Sequence, residues 1–100
     1  MTYRIAPRAE ADLDAILAYI VERNPPAARR VIERFTVQWE LLATQPRSGA
    51  ERDDVLAGIR HKVSGPYVAF YRVEGDDILI LRVLHGKRDL TAENPEDWPA

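Results

Sequence analysis

The chain has 100 residues, no cysteine and a formal net charge of −2, and this length suits one domain with one hydrophobic core. These features exclude disulfides, thiolate catalysis and cysteine-rich zinc sites, and the acidic balance argues against a dedicated non-specific nucleic-acid binder. No apolar run approaches the roughly 18 residues of a membrane-spanning helix, and the N-terminal sequence MTYRIAPRAE lacks the apolar core of a signal peptide. We therefore expect a cytoplasmic protein with no membrane contact.

The first half of the chain predicts a strand followed by two helices. Residues 2–6, TYRIA, alternate polar and apolar side chains as a strand does. Pro7 suits the first turn of a helix. The apolar face of that helix is formed by Leu13, Ile16, Leu17 and Ile20. The NPP stretch at 24–26 ends this helix and begins the next. The second apolar face is formed by Ala28, Val31, Ile32, Phe35, Trp39 and Leu42. Because almost no chain separates the helices, they should form an antiparallel hairpin.

The second half predicts consecutive strands joined by short turns. IRHKV at 59–63 alternates apolar and basic residues, and YVAFYRV at 67–73 is rich in β-formers. ILILRVLH at 78–85 is the most apolar run, so we expect a central strand covered on both faces. SGP and EGDD supply the intervening turns.

This order of elements predicts an α+β fold. A two-layer sandwich results, β-α-α-β-β-β, with the helix hairpin packed on a four-stranded, mainly antiparallel sheet. The first strand should lie at the sheet edge, beside either the 59–63 strand or the 78–85 strand. We expect one domain over residues 1–100, with a folded core at 1–90 and an acidic, irregular tail at 91–100.

Motifs of catalysis and metal binding are weak in this sequence. Ser48 and Ser64 lie in turn-like settings and no G-x-S-x-G is present. His61 and His85 lie on different predicted strands without ligand spacing, so we expect no metal and no cofactor. The carboxylate pairs at 12 and 14 and at 53 and 54 fit helix-start or loop acids.

Basic residues concentrate on the predicted strands and directly after the last one. They are Arg60, His61, Lys62, Arg72, Arg82, His85, Lys87 and Arg88. Strand alternation predicts that Arg60 and Lys62 point together, and that Arg82 shares a face with Ile78, Ile80 and Leu84. These cations are either solvated strand charges or a cluster on the open face of the sheet. Such a cluster could bind phosphates or acidic protein, or stabilise a phosphoryl transition state.

Several segments together resemble one protein family. They are PRAEADLDAILAYI, QPRSGAERDDVLAGIRHKVSGPYVAFYRV and ILILRVLHGKRD. The closing RVLHGKRD is similar to the RVLHGRRD hallmark of ParE-like proteins. The chain thus resembles the ParE-like branch of the ParE/RelE toxin superfamily, from bacterial type II toxin–antitoxin systems. The resemblance implies the same β-α-α-β-β-β order, a role in plasmid stabilisation, and growth inhibition by poisoning DNA gyrase rather than by enzymatic activity. It also implies a ParD-like antitoxin, in a heterotetramer or larger complex, that alone binds operator DNA.

The RelE-like branch of the superfamily offers a different function, ribosome-dependent cleavage of mRNA. On that alternative the catalytic residues would be Arg60, Lys62 and Arg88. Val68 occupies the place of a third-strand arginine of that branch, and LTAENPEDW offers no terminal tyrosine. A third hypothesis is an inactive relative that only binds antitoxin.

The resemblance and the charge pattern together suggest binding residues. Those expected to contact a target or antitoxin are Arg60, Lys62, Arg72, Arg82, His85, Lys87 and Arg88. Gly86 should let the chain turn after the last strand, and Asp89 should pair with Arg88 or another arginine. Tyr19, Phe35 and Trp39 are either walls of a groove for the antitoxin or plain core.

Overall fold

A helix hairpin packs on a five-stranded mixed sheet in the computed structural model, which describes residues 2–87, 90 and 93–98. The elements in chain order are β1 (Thr2–Ile5), α1 (Pro7–Arg23), α2 (Pro25–Thr44), β2 (Ala50–Glu51), β3 (Arg60–Ser64), β4 (Tyr67–Glu74), β5 (Asp77–His85) and a 3-10 helix at Pro95–Asp97. Within the described ranges, no helix has the length and hydropathy needed to cross a membrane. The predicted α+β class is confirmed.

The strands are arranged in the order β1-β5-β4-β3-β2. β1 pairs with β5 in parallel, and the other neighbours are antiparallel. Of the two places foreseen for the first strand, the chain uses the one beside the last strand. The four-stranded prediction missed β2, a two-residue strand that pairs with β3. Such a short strand carries no usable alternation of side chains.

One hydrophobic core lies between the sheet and the hairpin. We call this side of the sheet the hairpin face. The core is formed by Ala9, Phe35, Trp39, Leu42, Ala69, Tyr71, Ile78, Ile80 and Val83. The rings of Phe35 and Trp39, one helical turn apart on α2, stack with their centroids 5.4 Å apart. Burying each large apolar side chain contributes about 1.5–3 kcal/mol, so this core accounts for the docking of both helices.

A second core covers the opposite side of the sheet, which we call the far face. Its members are Ile59, Phe70, Leu81, Leu84 and Trp98. β5 is therefore covered on both faces, as predicted. The expected irregular tail is wrong for its described part. We call Glu93–Trp98 the strap: it contains the 3-10 helix, and its Trp98 is fully buried against the sheet. Burial of a large indole outweighs the polar character of its neighbours in sequence.

An irregularity in the β4–β5 pairing changes which side chains share a face. Phe70 is paired with Arg82 and Tyr71 with Ile80, so Leu81 is an extra residue on β5. Such a β-bulge breaks the simple alternation of a strand. Ile80 belongs to the hairpin-face core and Leu84 to the far-face core. The prediction that Arg82 shares one face with Ile78, Ile80 and Leu84 is therefore wrong.

Candidate functional site

The structure distributes the predicted basic residues over both faces of the sheet. Arg60 and Lys62 lie opposite Tyr71 and Ala69 in the β3–β4 register. Both partners belong to the hairpin-face core, so the two cations point to the hairpin side. The expectation that they line the side away from the helices is wrong. β3 lies next to the edge strand β2, at the margin of the helical layer, where cations can reach solvent.

Arg60 braces the loop that precedes β2. Its guanidinium donates to the Gly49 carbonyl at 2.8 Å and the Arg47 carbonyl at 3.3 Å, and it pairs with Glu51 at 3.2 Å. Three partners inside the protein neutralise and orient this cation. Arg60 therefore has a defined structural role, and its predicted contact with a target remains a prediction.

Tyr71, which the sequence reasoning did not single out, forms hydrogen bonds to the same loop from β4. Its hydroxyl accepts from the Gly49 N–H at 2.9 Å and donates to the Pro46 carbonyl at 2.8 Å. Burial of the ring raises the pKa of the Tyr71 phenol above its ordinary value. A side chain at Gly49 would collide with this hydroxyl, so the close approach requires glycine. The PRSG motif was the available signal for such a loop.

Arg82 joins the two layers of the protein at the bulge. Asp12 on α1 accepts from two of its nitrogens, at 2.7 Å and 3.0 Å, and also from the Val83 N–H at 2.9 Å. Glu93 of the strap accepts a further bond at 3.2 Å. The hydrogen bonds that Arg82 donates to Asp12 are the main reason that the pKa of Arg82 is raised. With 8% of its surface exposed, Arg82 does not line an open face, contrary to the prediction.

The other predicted cations differ in how they are neutralised. Arg72 pairs with Glu74 at 2.7 Å. In the part of the chain that the structure describes, Lys62 and Lys87 form no ion pair. His85 packs edge-on against Tyr67, with ring centroids 5.8 Å apart. Among the described members of the predicted set, Lys62, His85 and Lys87 are the basic residues that form no ion pair with an acid.

The turn after β5 is only partly described. Gly86 donates from its backbone to the Pro66 carbonyl at 2.8 Å, and a side chain there would crowd the same oxygen. Gly86 is therefore explained by close backbone approach. Arg88 and Asp89 lie outside the described residues, and their predicted roles stay predictions.

A cluster on the far face centres on His61. Arg52 forms a two-bond pair with Asp54, at 2.9 Å and 3.0 Å, and also lies 3.1 Å from the His61 Nδ1. A guanidinium can only donate, so Nδ1 accepts and His61 is neutral, with its proton on Nε2. Burial, and then the charge of Arg52, lower the pKa of His61. The neighbouring cavity of about 90 Å³ reaches Phe70 and His85. His61 is thus a neutral hydrogen-bond acceptor here.

An apolar groove lies between the hairpin and β1. It encloses about 200 Å³ and is lined by Tyr3, Ile5, Leu13, Leu17, Ile32, Phe35, Thr36 and Trp39. Phe35 and Trp39, two of the predicted groove walls, therefore line a groove and also belong to the core. The third, Tyr19, lies elsewhere: it is 58% exposed, with the Arg23 guanidinium stacked 3.6 Å from its ring centroid. Tyr19 therefore does not line this groove.

The groove runs along an unpaired sheet edge. β1 is the terminal strand of the sheet, so across the described residues its outer edge has no strand beside it. A second cavity of about 370 Å³ continues along β1, lined by Thr2, Tyr3, Glu40, Ala43 and Thr44. An apolar groove beside a free strand edge can accept a peptide by strand addition or as a helix.

The fold and these surfaces define a member of the RelE/ParE class of α+β toxins, and solved structures share the architecture. A chromosomal ParDE toxin–antitoxin system from P. aeruginosa superposes with a TM-score of 0.73 at 31% identity, covering 85% of this chain and 95% of that chain. The RelBE2 toxin–antitoxin complex from Mycobacterium tuberculosis gives a TM-score of 0.55 at 26% identity, covering 84% of this chain and 95% of that chain.

Sequence comparison identifies the branch of this class. Residues 3–90 match the family described as the ParE toxin of the type II toxin–antitoxin system parDE. Toxin ParE1 of Caulobacter vibrioides is 38% identical over 84 residues, which cover 83% of this chain and 86% of that protein. The chain belongs to the ParE toxin family and is a ParE-type toxin of a type II toxin–antitoxin system. The predicted resemblance is confirmed, and the strap lies beyond the matched residues.

Proposed function

We propose that this toxin inhibits growth by poisoning DNA gyrase and that a ParD-like antitoxin neutralises it. The observation that carries the proposal is the match of residues 3–90 to the ParE family. The site of action would be the cytoplasm, where gyrase and the antitoxin meet. The toxin would form a heterotetramer or larger complex with the antitoxin, which itself would contact operator DNA.

The apolar groove supports binding of an antitoxin segment. Its wall on α2 includes Ile32, which is 47% exposed. Arg29, three positions before Ile32 and therefore on the same side of the helix, is exposed and among the described residues forms no ion pair. Apolar side chains of a partner would fill the groove, while a carboxylate of the partner would meet Arg29. An acidic, amphipathic antitoxin segment fits both requirements.

The placement of the cations supports gyrase poisoning over RNA cleavage. A ribonuclease of this class would require Arg60, Lys62 and Arg88 to act together on a phosphate. Arg60 is instead bound to two backbone carbonyls and to Glu51. Val68 occupies the place of a cation of the ribonuclease branch. A free, convergent set of cations, which transition-state stabilisation needs, is not assembled among the described residues.

The test is a gyrase assay with the purified toxin, supercoiled and relaxed DNA and ATP. We expect loss of supercoiling and accumulation of DNA covalently trapped on gyrase, both relieved by the antitoxin encoded beside the toxin gene. Defined mRNA cleavage without any effect on gyrase would favour the ribonuclease alternative. A tight antitoxin complex with neither activity would identify an inactive relative.

A further inference from the structure

The strap (Glu93–Trp98) is attached to the sheet in a way that suggests a bound ligand rather than a part of the scaffold. Among the described residues its backbone hydrogen bonds are local: Glu93 to Leu90, Asp97 to Asn94 and Trp98 to Pro95. Its long-range contacts are made by side chains. Trp98 packs on Phe70 with ring centroids 5.1 Å apart, and Glu93 pairs with Arg82 at 3.2 Å. No shared strand ladder ties the described strap to the sheet.

The cation that holds the strap has an independent partner. Asp12 binds Arg82 through two hydrogen bonds, so the buried guanidinium keeps its charge balance when Glu93 departs. Detachment of the strap therefore does not strand an unpaired buried cation, the event that usually makes breaking a buried pair unfavourable.

The indole of Trp98 is well packed but imperfectly satisfied. Its ring is fully buried, with the Arg82 guanidinium 5.6 Å from its centroid. Its Nε1–H has no hydrogen-bond partner within the described ranges. A buried Trp N–H normally finds an acceptor, and water would supply one if the strap opened. Because of this missing hydrogen bond, detaching the strap costs less free energy than it would if the buried Trp98 N–H had an acceptor.

The far face under the strap combines an aromatic platform with positive charge. Phe70 lies at its centre, flanked by Ile59, Leu81 and Leu84. The Arg52 guanidinium lies 5.8 Å from the Phe70 ring centroid on one side, and Arg82 borders the surface at the bulge. Aromatic side chains and carboxylates are the groups that such a surface recognises.

We propose that the far face is a second docking site of this toxin, for an acidic segment that carries an aromatic side chain, and that the strap occupies it as a displaceable internal ligand. The strap itself displays the required chemistry, with Glu93 on Arg82 and Trp98 on Phe70. The site is separate from the apolar groove beside β1 and does not depend on gyrase as the target. A partner segment that binds here must compete with the strap.

The full chain labelled with 5-fluorotryptophan tests the proposal directly. It contains two tryptophans, Trp39 and Trp98, and the Trp98→Phe variant assigns their ¹⁹F signals. The probe is the acetylated and amidated hexapeptide ENPEDW, added at millimolar concentration. We expect the Trp98 signal to shift toward the position of a solvent-exposed indole while the Trp39 signal stays unchanged. An unmoved Trp98 signal at saturating peptide would overturn the proposal.

Direct binding supplies a second measurement. A fluorescent ENPEDW peptide should bind the full-length Trp98→Ala variant at least tenfold more tightly than the wild type. In the wild type the strap is tethered beside the site at a high effective concentration and competes with the peptide, and in the variant this competition is lost. The matched ENPEDA peptide should not bind. Equal affinity for wild type and a folded Trp98→Ala variant would contradict occupation by the strap. Dimers in which the strap crosses to a second copy would overturn the internal assignment.

Discussion

The apolar groove beside β1 and the far face are both apolar surfaces of one sheet, but the chain fills only the far face itself. The groove retains a cavity of about 200 Å³ with Ile32 half exposed, whereas Trp98 is fully buried on the far face. This difference indicates that the apolar groove and the far face have different roles in binding. The groove has a free strand edge for a partner, and the far face is closed by a segment that a partner must displace.

Asp12→Ala should have the largest effect, because Asp12 connects the hairpin to the residue that also holds the strap. The change leaves the buried Arg82 with Glu93 alone and the Val83 N–H without its acceptor. We expect the free energy of unfolding to fall by about 3 kcal/mol, because three hydrogen bonds to a carboxylate are lost and the Val83 N–H is left unsatisfied. Urea denaturation measures it, with Asp14→Ala, an exposed acid on the same helix, as the matched control. Equal losses for the two variants would refute the connecting role of Asp12.

Tyr71→Phe should weaken the hairpin face without touching the strap. It removes one hydroxyl and leaves the Gly49 N–H and the Pro46 carbonyl unsatisfied in a buried setting. The expected loss of unfolding free energy is about 1–3 kcal/mol. Thermal and urea unfolding measure it, and Tyr19→Phe, at an exposed ring, should change stability by less than about 0.5 kcal/mol. A neutral Tyr71→Phe would show that the loop does not depend on this hydroxyl.

Ile32→Glu should separate the two surfaces in function. A negative charge at the mouth of the groove is expected to repel an acidic antitoxin segment and to weaken its binding at least tenfold, about 1.4 kcal/mol, without affecting the strap. Val37→Glu is the matched control, since Val37 is exposed on the same helix and lies outside the set of groove-lining residues. Calorimetric titration with the antitoxin measures both. Unchanged affinity for Ile32→Glu would move the antitoxin away from the groove.

The smallest expected effect is a pH dependence on the far face. The pKa of His61 is lowered in the folded protein, so the unfolded chain binds the proton first as pH falls. The contribution to stability is complete above the unfolded value of about 6.5, and is lost as pH falls through the folded pKa. Urea unfolding between pH 7.5 and 5 should show this loss in wild type and not in His61→Gln. His85→Gln serves as the control, and retention of the full slope in His61→Gln would exclude His61 as its source.

The predictable part of this protein is the part governed by local periodicity. The apolar spacing of α1 and α2 and the alternation in β3 and β4 predict the hairpin and the meander of strands. The groove was only half predictable, because Phe35 and Trp39 have the same helical spacing whether they face core or groove. Family motifs supplied the toxin class, which periodicity alone could not.

The parts that escaped prediction depend on contacts between distant residues. The extra residue Leu81 in β5 breaks the alternation of side chains between the two faces, so the face of Arg82 cannot be predicted by counting along the strand. No local sequence signal marks such a bulge. Asp12 and Arg82 are 70 positions apart, so their pairing is invisible to a spacing argument. Trp98 is a single aromatic residue among polar ones, so the tail shows no apolar periodicity. Its burial on the far face nevertheless completes a hydrophobic core.

The parallel pairing of β1 with β5 has a consequence for the timing of synthesis. Thr2 pairs with Asp77 and Ile5 with Ile80, so β1 has no strand partner until β5 has been synthesised. The helices can form earlier, because their hydrogen bonds are local. The wall of the groove that β1 provides therefore exists only after β5 has been synthesised. An antitoxin that docks in this groove would bind chains that include β5 and would not bind shorter nascent fragments.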